Sequence, residues 1–107
     1  MTVPQTPRST VPQEVSTELR RVVERWRQLP LDHALSCAGE VRALVQALAD
    51  GVNAANGFRV SVVPDCGPAT VMDQLTVLVH EAREAAVTSG RTSTLAEDLA
   101  GLRRELR

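Results

Sequence analysis

Four stretches of the chain repeat their apolar residues at intervals of four and three, the spacing that aligns side chains on one face of an α-helix. The first, from about Pro12 to Leu29, carries Val15, Leu19, Val22, Trp26 and Leu29 on that stripe, with Thr10 or Val11 near its cap. Pro30 ends it, because proline lacks an N–H and restricts the residue before it. The second takes Asp32 as its N-cap and continues to Gly57, with Leu35, Ala38, Val41, Leu44, Val45, Leu48 and Val52 forming a broader stripe. A stripe of that width belongs to a helix with neighbours on two sides. Gly51 marks an early stop or a weak point within it, since glycine is about 1 kcal/mol less favourable than alanine in a helix.

The third stretch opens at Pro68, in the first turn, and places Val71, Leu75, Leu78, Ala82 and Ala85 on one face before "TSGRTS" breaks it at Gly90. The fourth begins with a capping box, in which Thr94 accepts from the Glu97 amide while Glu97 reaches back. Leu95, Leu99, Leu102 and Leu106 then form a seam like that of a coiled coil.

One segment departs from the helical period. "FRVSVV", residues 58–63, alternates Phe58, Val60 and Val62 inward with Arg59 and Ser61 outward, which is a strand pattern. A lone strand leaves its backbone donors and acceptors unpaired. The segment is therefore expected either to lie as an extended connection over the helices or to form an edge that pairs with another chain. Together these patterns predict an all-α fold, a four-helix up-down bundle with a short extended or strand-like segment between the second and third helices. Residues 1–11, with Pro4, Pro7, Ser9 and Thr10 and almost nothing to bury, read as a flexible N-terminal tail; residues 12–107 read as a single helical-bundle domain.

Composition sharpens this picture. At 107 residues the chain is long enough for one domain that buries roughly two-thirds of its unfolded surface without a metal or disulfide. Trp26 and Phe58 are its only aromatic residues, so the core must be built from Leu, Val and Ala, which suits closely spaced helices. All twelve basic residues are arginine, a bias expected first of a GC-rich, bacterial genome. The formal net charge of −1 argues against a dedicated nucleic-acid binder. The densest arginine groups, Arg20, Arg21, Arg25 and Arg27 and then Arg103, Arg104 and Arg107, are interleaved with glutamate and read as solvated, salt-bridged helix faces. No apolar run approaches the roughly 18 residues of a membrane span, and "MTVPQTPRSTVPQ" lacks the apolar core of a signal peptide. A cytoplasmic location with Cys37 and Cys66 as reduced thiols is the expectation.

Candidate chemistry is sparse. Cys66 precedes a helix start, where backbone amides favour a thiolate, but Asp65 opposes that, and Gly67-Pro68 is what any sharp entry into a helix requires. His33 and Cys37 share a helical face, and with Cys66 and His80 they complete a two-cysteine, two-histidine inventory. Their spacings match no zinc motif. His80, Glu81 and Asp73 would form an acid–base group only around an interhelical pocket, and His80 falls off the apolar stripe. Trp26 reads as a core anchor rather than a binding hot spot.

No catalytic, metal or cofactor residue is assigned on this basis. The expected role is a small cytosolic, non-catalytic helical protein–protein interaction module that self-associates as a homodimer and binds a protein partner of unknown identity. Leu95, Leu99, Leu102, Leu106, Phe58, Val60 and Val62 are its candidate interaction residues. The alternative is a small-molecule-binding or thiol-dependent bundle with a pocket near Cys66, His80 and Glu81. If the apolar seams alone supply the core, far-UV circular dichroism recorded with chelator and reductant present will show a mostly helical spectrum. Loss of the helical signal under those conditions would instead implicate His33, Cys37, Cys66 and His80 as ligands.

Overall fold

The computed structural model describes residues 6–57, 59, 61–89 and 92–106. Four helices account for most of them: α1 (Thr6–Gln28), α2 (Leu31–Ala55), α3 (Pro68–Ser89) and α4 (Thr92–Glu105). Among the described residues there is no strand, so the all-α expectation is met. Phe58 and Val60 lie outside the described residues, as do residues 1–5 of the expected tail, Arg107 and the side chain of Ala85.

Several boundaries differ from those read in the sequence. The first helix starts at Thr6 rather than Pro12, so residues 6–11 of the expected tail are helical. At the head of α2, Pro30 occupies the N-cap with φ −57° and ψ 150° and no side-chain cap bond, which places Asp32 inside the first turn instead of at the cap. Its carboxylate there still faces the positive end of the helix dipole. Gly51 does not interrupt α2, which runs to Ala55 with Asn56 as its C-cap; Gly57 follows, and its φ of 72° is the left-handed geometry that glycine adopts at helix ends. The fourth helix begins at Thr92, so Thr94 lies within its first turn and is not the cap.

One apolar cluster joins all four helices. Val15, Leu19, Val22 and Trp26 of α1 meet Leu95, Leu99, Leu102 and Leu106 at the other end of the chain, together with Val41 and Val45 of α2 and Val71, Leu75 and Val79 of α3. Each wholly buried Leu or Val contributes on the order of 1.5–3 kcal/mol relative to exposure. The broad stripe read in α2 holds from Ala38 to Val52 and departs only at its head, where Ala34 and Cys37 are buried while Leu35, expected inside, is 51% exposed. Small residues near the head of this helix bring its backbone close to the cluster, and a leucine one position beyond Ala34 points away.

α1 packs mainly on α4 and α2 mainly on α3, whereas α1 and α2 scarcely touch although only Leu29 and Pro30 join them. The molecule is 56 Å long. A 25-residue helix such as α2 spans only about 37 Å, so α1 and α2 lie in tandem rather than side by side. Two bonds order α1 against α4: Arg103 Nε donates to Glu18 Oε2 at 2.9 Å, and farther along both helices Arg25 Nε donates to the Leu106 carbonyl. A sulfur contact from Cys37, just past the α1–α2 junction, to the Glu105 carbonyl puts the end of α4 beside the end of α1. The two helices therefore run the same way. A strict up-down succession would set them antiparallel, and these contacts do not give that alternation.

Leu99, wholly buried between α4 and the rest, and Leu35, half exposed, give opposite expectations. Leu99→Ala is expected to lower unfolding stability by about 2–5 kcal/mol in urea titrations. Leu35→Ala should change it by about 0.5 kcal/mol or less.

Candidate functional site

Residues 61–67 run back along α2 before α3 begins, and two glutamines fix them. Gln46 of α2 donates from Nε2 to the Ser61 carbonyl at 2.9 Å and to Asp50 Oδ1 at 2.8 Å, while its Oε1 accepts the Val63 N–H at 2.8 Å. An amide that takes the C=O of one residue and the N–H of the second residue on is acting as a neighbouring strand would. Gln74 of α3 donates to the Pro64 carbonyl at 3.0 Å. The Ser61 and Pro64 carbonyls and the Val63 N–H thus find their partners in side chains of the same chain.

This attachment sets the register of the segment. Val63 is half-buried and packs against the apolar cluster, whereas Val62 is 84% exposed. The alternation read in the sequence placed Val62 inward, and a shift of one residue reverses every side chain. Val62 is the described member of the candidate extended surface, and it faces outward. Leu95, Leu99, Leu102 and Leu106 have the opposite placement: they are 5%, 0%, 6% and 0% exposed within the single chain, so α4 docks on its own α1.

Cys66 closes the same segment. Asp65 Oδ1 accepts the Gly67 N–H at 3.0 Å, Gly67 turns the chain at φ 90°, and Thr70 N–H bonds back to the Gly67 carbonyl. The "DCGP" sequence is in this geometry a helix entry, with Asp65 also 3.5 Å from Arg42. Cys66 is exposed, and its side-chain neighbour is Gln74, 3.9 Å away. A cavity of about 280 Å³ opens beside it, lined by Gly39, Arg42, Gln46, Val63, Pro64 and Gln74. His80 and Glu81 do not share it. They stand three turns down α3, about 18 Å from Pro68 along the axis, and both are exposed.

The remaining candidates are also dispersed. His33 is exposed at the head of α2, while Cys37 one turn on is buried in the cluster; Asp73 is exposed on α3. Among the described residues no group of three His, Cys, Asp or Glu side chains is placed to hold a metal ion. No described helix is long and apolar enough to cross a membrane. Trp26 is 9% exposed and belongs to the cluster.

Sequence reading missed Gln46, because a polar residue on a helix gives no sign that its amide will meet a loop fifteen positions later. It also missed the exposed apolar surface at Leu31, Leu35 and Val77, which are 66%, 51% and 56% accessible. No protein-family model matches the chain, and neither the curated proteins nor the solved structures gave a significant match.

The two thiols are expected to differ sharply. In the folded protein a disulfide-exchange reagent should titrate one thiol per chain, Cys66, and the second, Cys37, only after addition of denaturant. Cys66→Ser should keep stability within about 1 kcal/mol of the parent.

Proposed function

We propose that this chain is a small, non-catalytic helical interaction module that self-associates as a homodimer and presents the resulting surface to a protein partner. The observation that carries the reading is Val62, 84% exposed on an extended segment whose inner edge is already fastened by Gln46. Fastening reduces the ordering entropy that a free loop loses on pairing, so an incoming strand meets a preformed edge. Two copies of residues 61–63, antiparallel about a two-fold axis, would satisfy each other's outward backbone groups and bury both Val62 side chains. Phe58 and Val60 extend this edge in sequence.

The leucines of α4 take a supporting part. Their burial against α1 lends rigidity to the body that carries the extended segment, and exchange of α4 between copies would preserve the same contacts. The free thiols of Cys37 and Cys66 suit a reducing, cytoplasmic setting. The small-molecule alternative keeps the cavity beside Cys66 and loses His80 and Glu81, which leaves it without an acid–base group.

Light scattering at micromolar concentration tests the assembly. A dimer of twice 11.6 kDa is expected, and a monomer would overturn the proposal. Val62→Arg should convert the dimer to a folded monomer with an unchanged helical spectrum, because the site is exposed in the single chain. Leu99→Asp should instead unfold the chain, since it places a charge in the intrachain cluster.

A further inference from the structure

The two arginine groups that the sequence separates by most of its length meet in the fold. Because α1 and α4 run in the same direction and end together, Arg21 and Arg25 of α1 stand beside Arg103 and Arg104 of α4. They line a cavity of about 380 Å³ with Glu24 and Leu106. Four guanidiniums face one lining carboxylate there, in a chain whose formal net charge is −1.

Arg21, Arg25 and Arg103 are held in place from behind. Glu18, whose side chain is 16% exposed, accepts from Arg21 Nη1 at 3.1 Å through Oε1 and from Arg103 Nε at 2.9 Å through Oε2. The Leu106 carbonyl accepts from Arg25 Nε. Each bond occupies one of the five N–H groups of a guanidinium and fixes its plane. Part of this positive charge offsets the adjoining carbonyl ends of two parallel helices. Those ends carry about half an elementary charge each, so with Glu18 and Glu24 also set against the four guanidiniums an excess of roughly one positive charge is left.

We infer that this cavity is a binding site for a phosphate-bearing small molecule, with Arg21, Arg25, Arg103 and Arg104 as its ligands. The planar fork of arginine matches the oxygen pairs of a phosphate, and a group with charge near about −2 requires more than one of them. The cavity lies between the ends of two helices and within the size range of small-molecule sites, roughly 300–1,000 Å³. A lone carboxylate presents a single pair of oxygens and engages fewer of the four guanidinium forks than a phosphate does. A nucleic-acid backbone would need a basic track continuing beyond it, which the overall balance of charge does not supply. The inference does not depend on self-association through residues 61–63.

Isothermal titration of the full chain with inorganic pyrophosphate, and separately with ADP, at low ionic strength and without divalent metal tests the site. Saturable binding to either probe is expected, weakening as salt is raised. Comparable affinity for both would identify the phosphates themselves as the recognised group, and tighter ADP binding would identify a phosphate ester as the source. Arg21→Gln and Arg104→Gln, both at exposed positions, should each weaken binding by about tenfold with an unchanged helical spectrum. Arg20→Gln, on the same helix but outside the cavity, should leave it unaltered. No binding at millimolar probe, or binding to which Arg21 and Arg104 are indifferent, would overturn the site. So would oligonucleotide binding that pyrophosphate does not displace.

Discussion

The pairing of α1 with α4 is the contact on which the rest of the structure depends. Val15, Leu19, Val22 and Trp26 are spaced as Leu95, Leu99, Leu102 and Leu106 are, and both sets are buried in the same cluster. Two helices with the same period and the same direction can match their stripes over the whole contact. Glu18 and Arg103 then occupy the flanking positions at which parallel paired helices bridge. At 14 residues α4 would be marginal in isolation, and Gly101 weakens it further. Docking on α1 provides the burial that its own propensity does not. It also closes the chain into one body, because the intervening α2 and α3 must complete their excursion before α4 can return to α1.

That excursion is shaped by the tandem placement of α1 and α2. Across the Leu29-Pro30 link, with Pro30 at φ −57° and ψ 150°, α2 projects onward from α1 and gives the molecule its 56 Å length. α3 must then cover α2 along one part of its length and reach α1 and α4 with the remainder. Arg83 marks the far end of this path, where Nη1 donates to Ser16 Oγ at 2.7 Å. Residues 61–67 run back over α2, where Gln46 and Gln74 hold them through the Ser61 and Pro64 carbonyls and the Val63 N–H.

The same direction of α1 and α4 has an electrostatic consequence. Neighbouring parallel helices bring their carbonyl ends together, which is unfavourable unless cations are supplied there. Arg25 and Arg27 lie in the last turn of α1, and Arg103 and Arg104 in the last turn of α4. Glu18 orders two of the cavity-lining arginines, and the Leu106 carbonyl orders a third. A concentration of charge that serves the fold is in this way also preorganised toward solvent.

Local pattern was sufficient for the helices, because a stripe of period near 3.6 has one way to be buried. The residues Val15, Leu19, Val22, Trp26, Val71, Leu75, Leu95, Leu99, Leu102 and Leu106 were legible as core for that reason, and Pro30, Gly57 and Pro68 as boundaries. The head of α2 was less legible: Cys37, between Ala34 and Ala38, reads as a small core residue and is one, but whether Ala34 or Leu35 faces inward depends on how closely the neighbouring helices approach. The register of residues 61–63 was not legible, since alternation in "FRVSVV" fits either face and the choice falls to Gln46, a residue of another element. The arginine cavity was hidden altogether. The sequence determined that Arg21 and Arg103 sit on helix faces beside apolar stripes. Only the direction in which α1 and α4 pack decided that those faces meet, because relative helix direction is set by the connections and contacts of the whole chain and leaves no local trace.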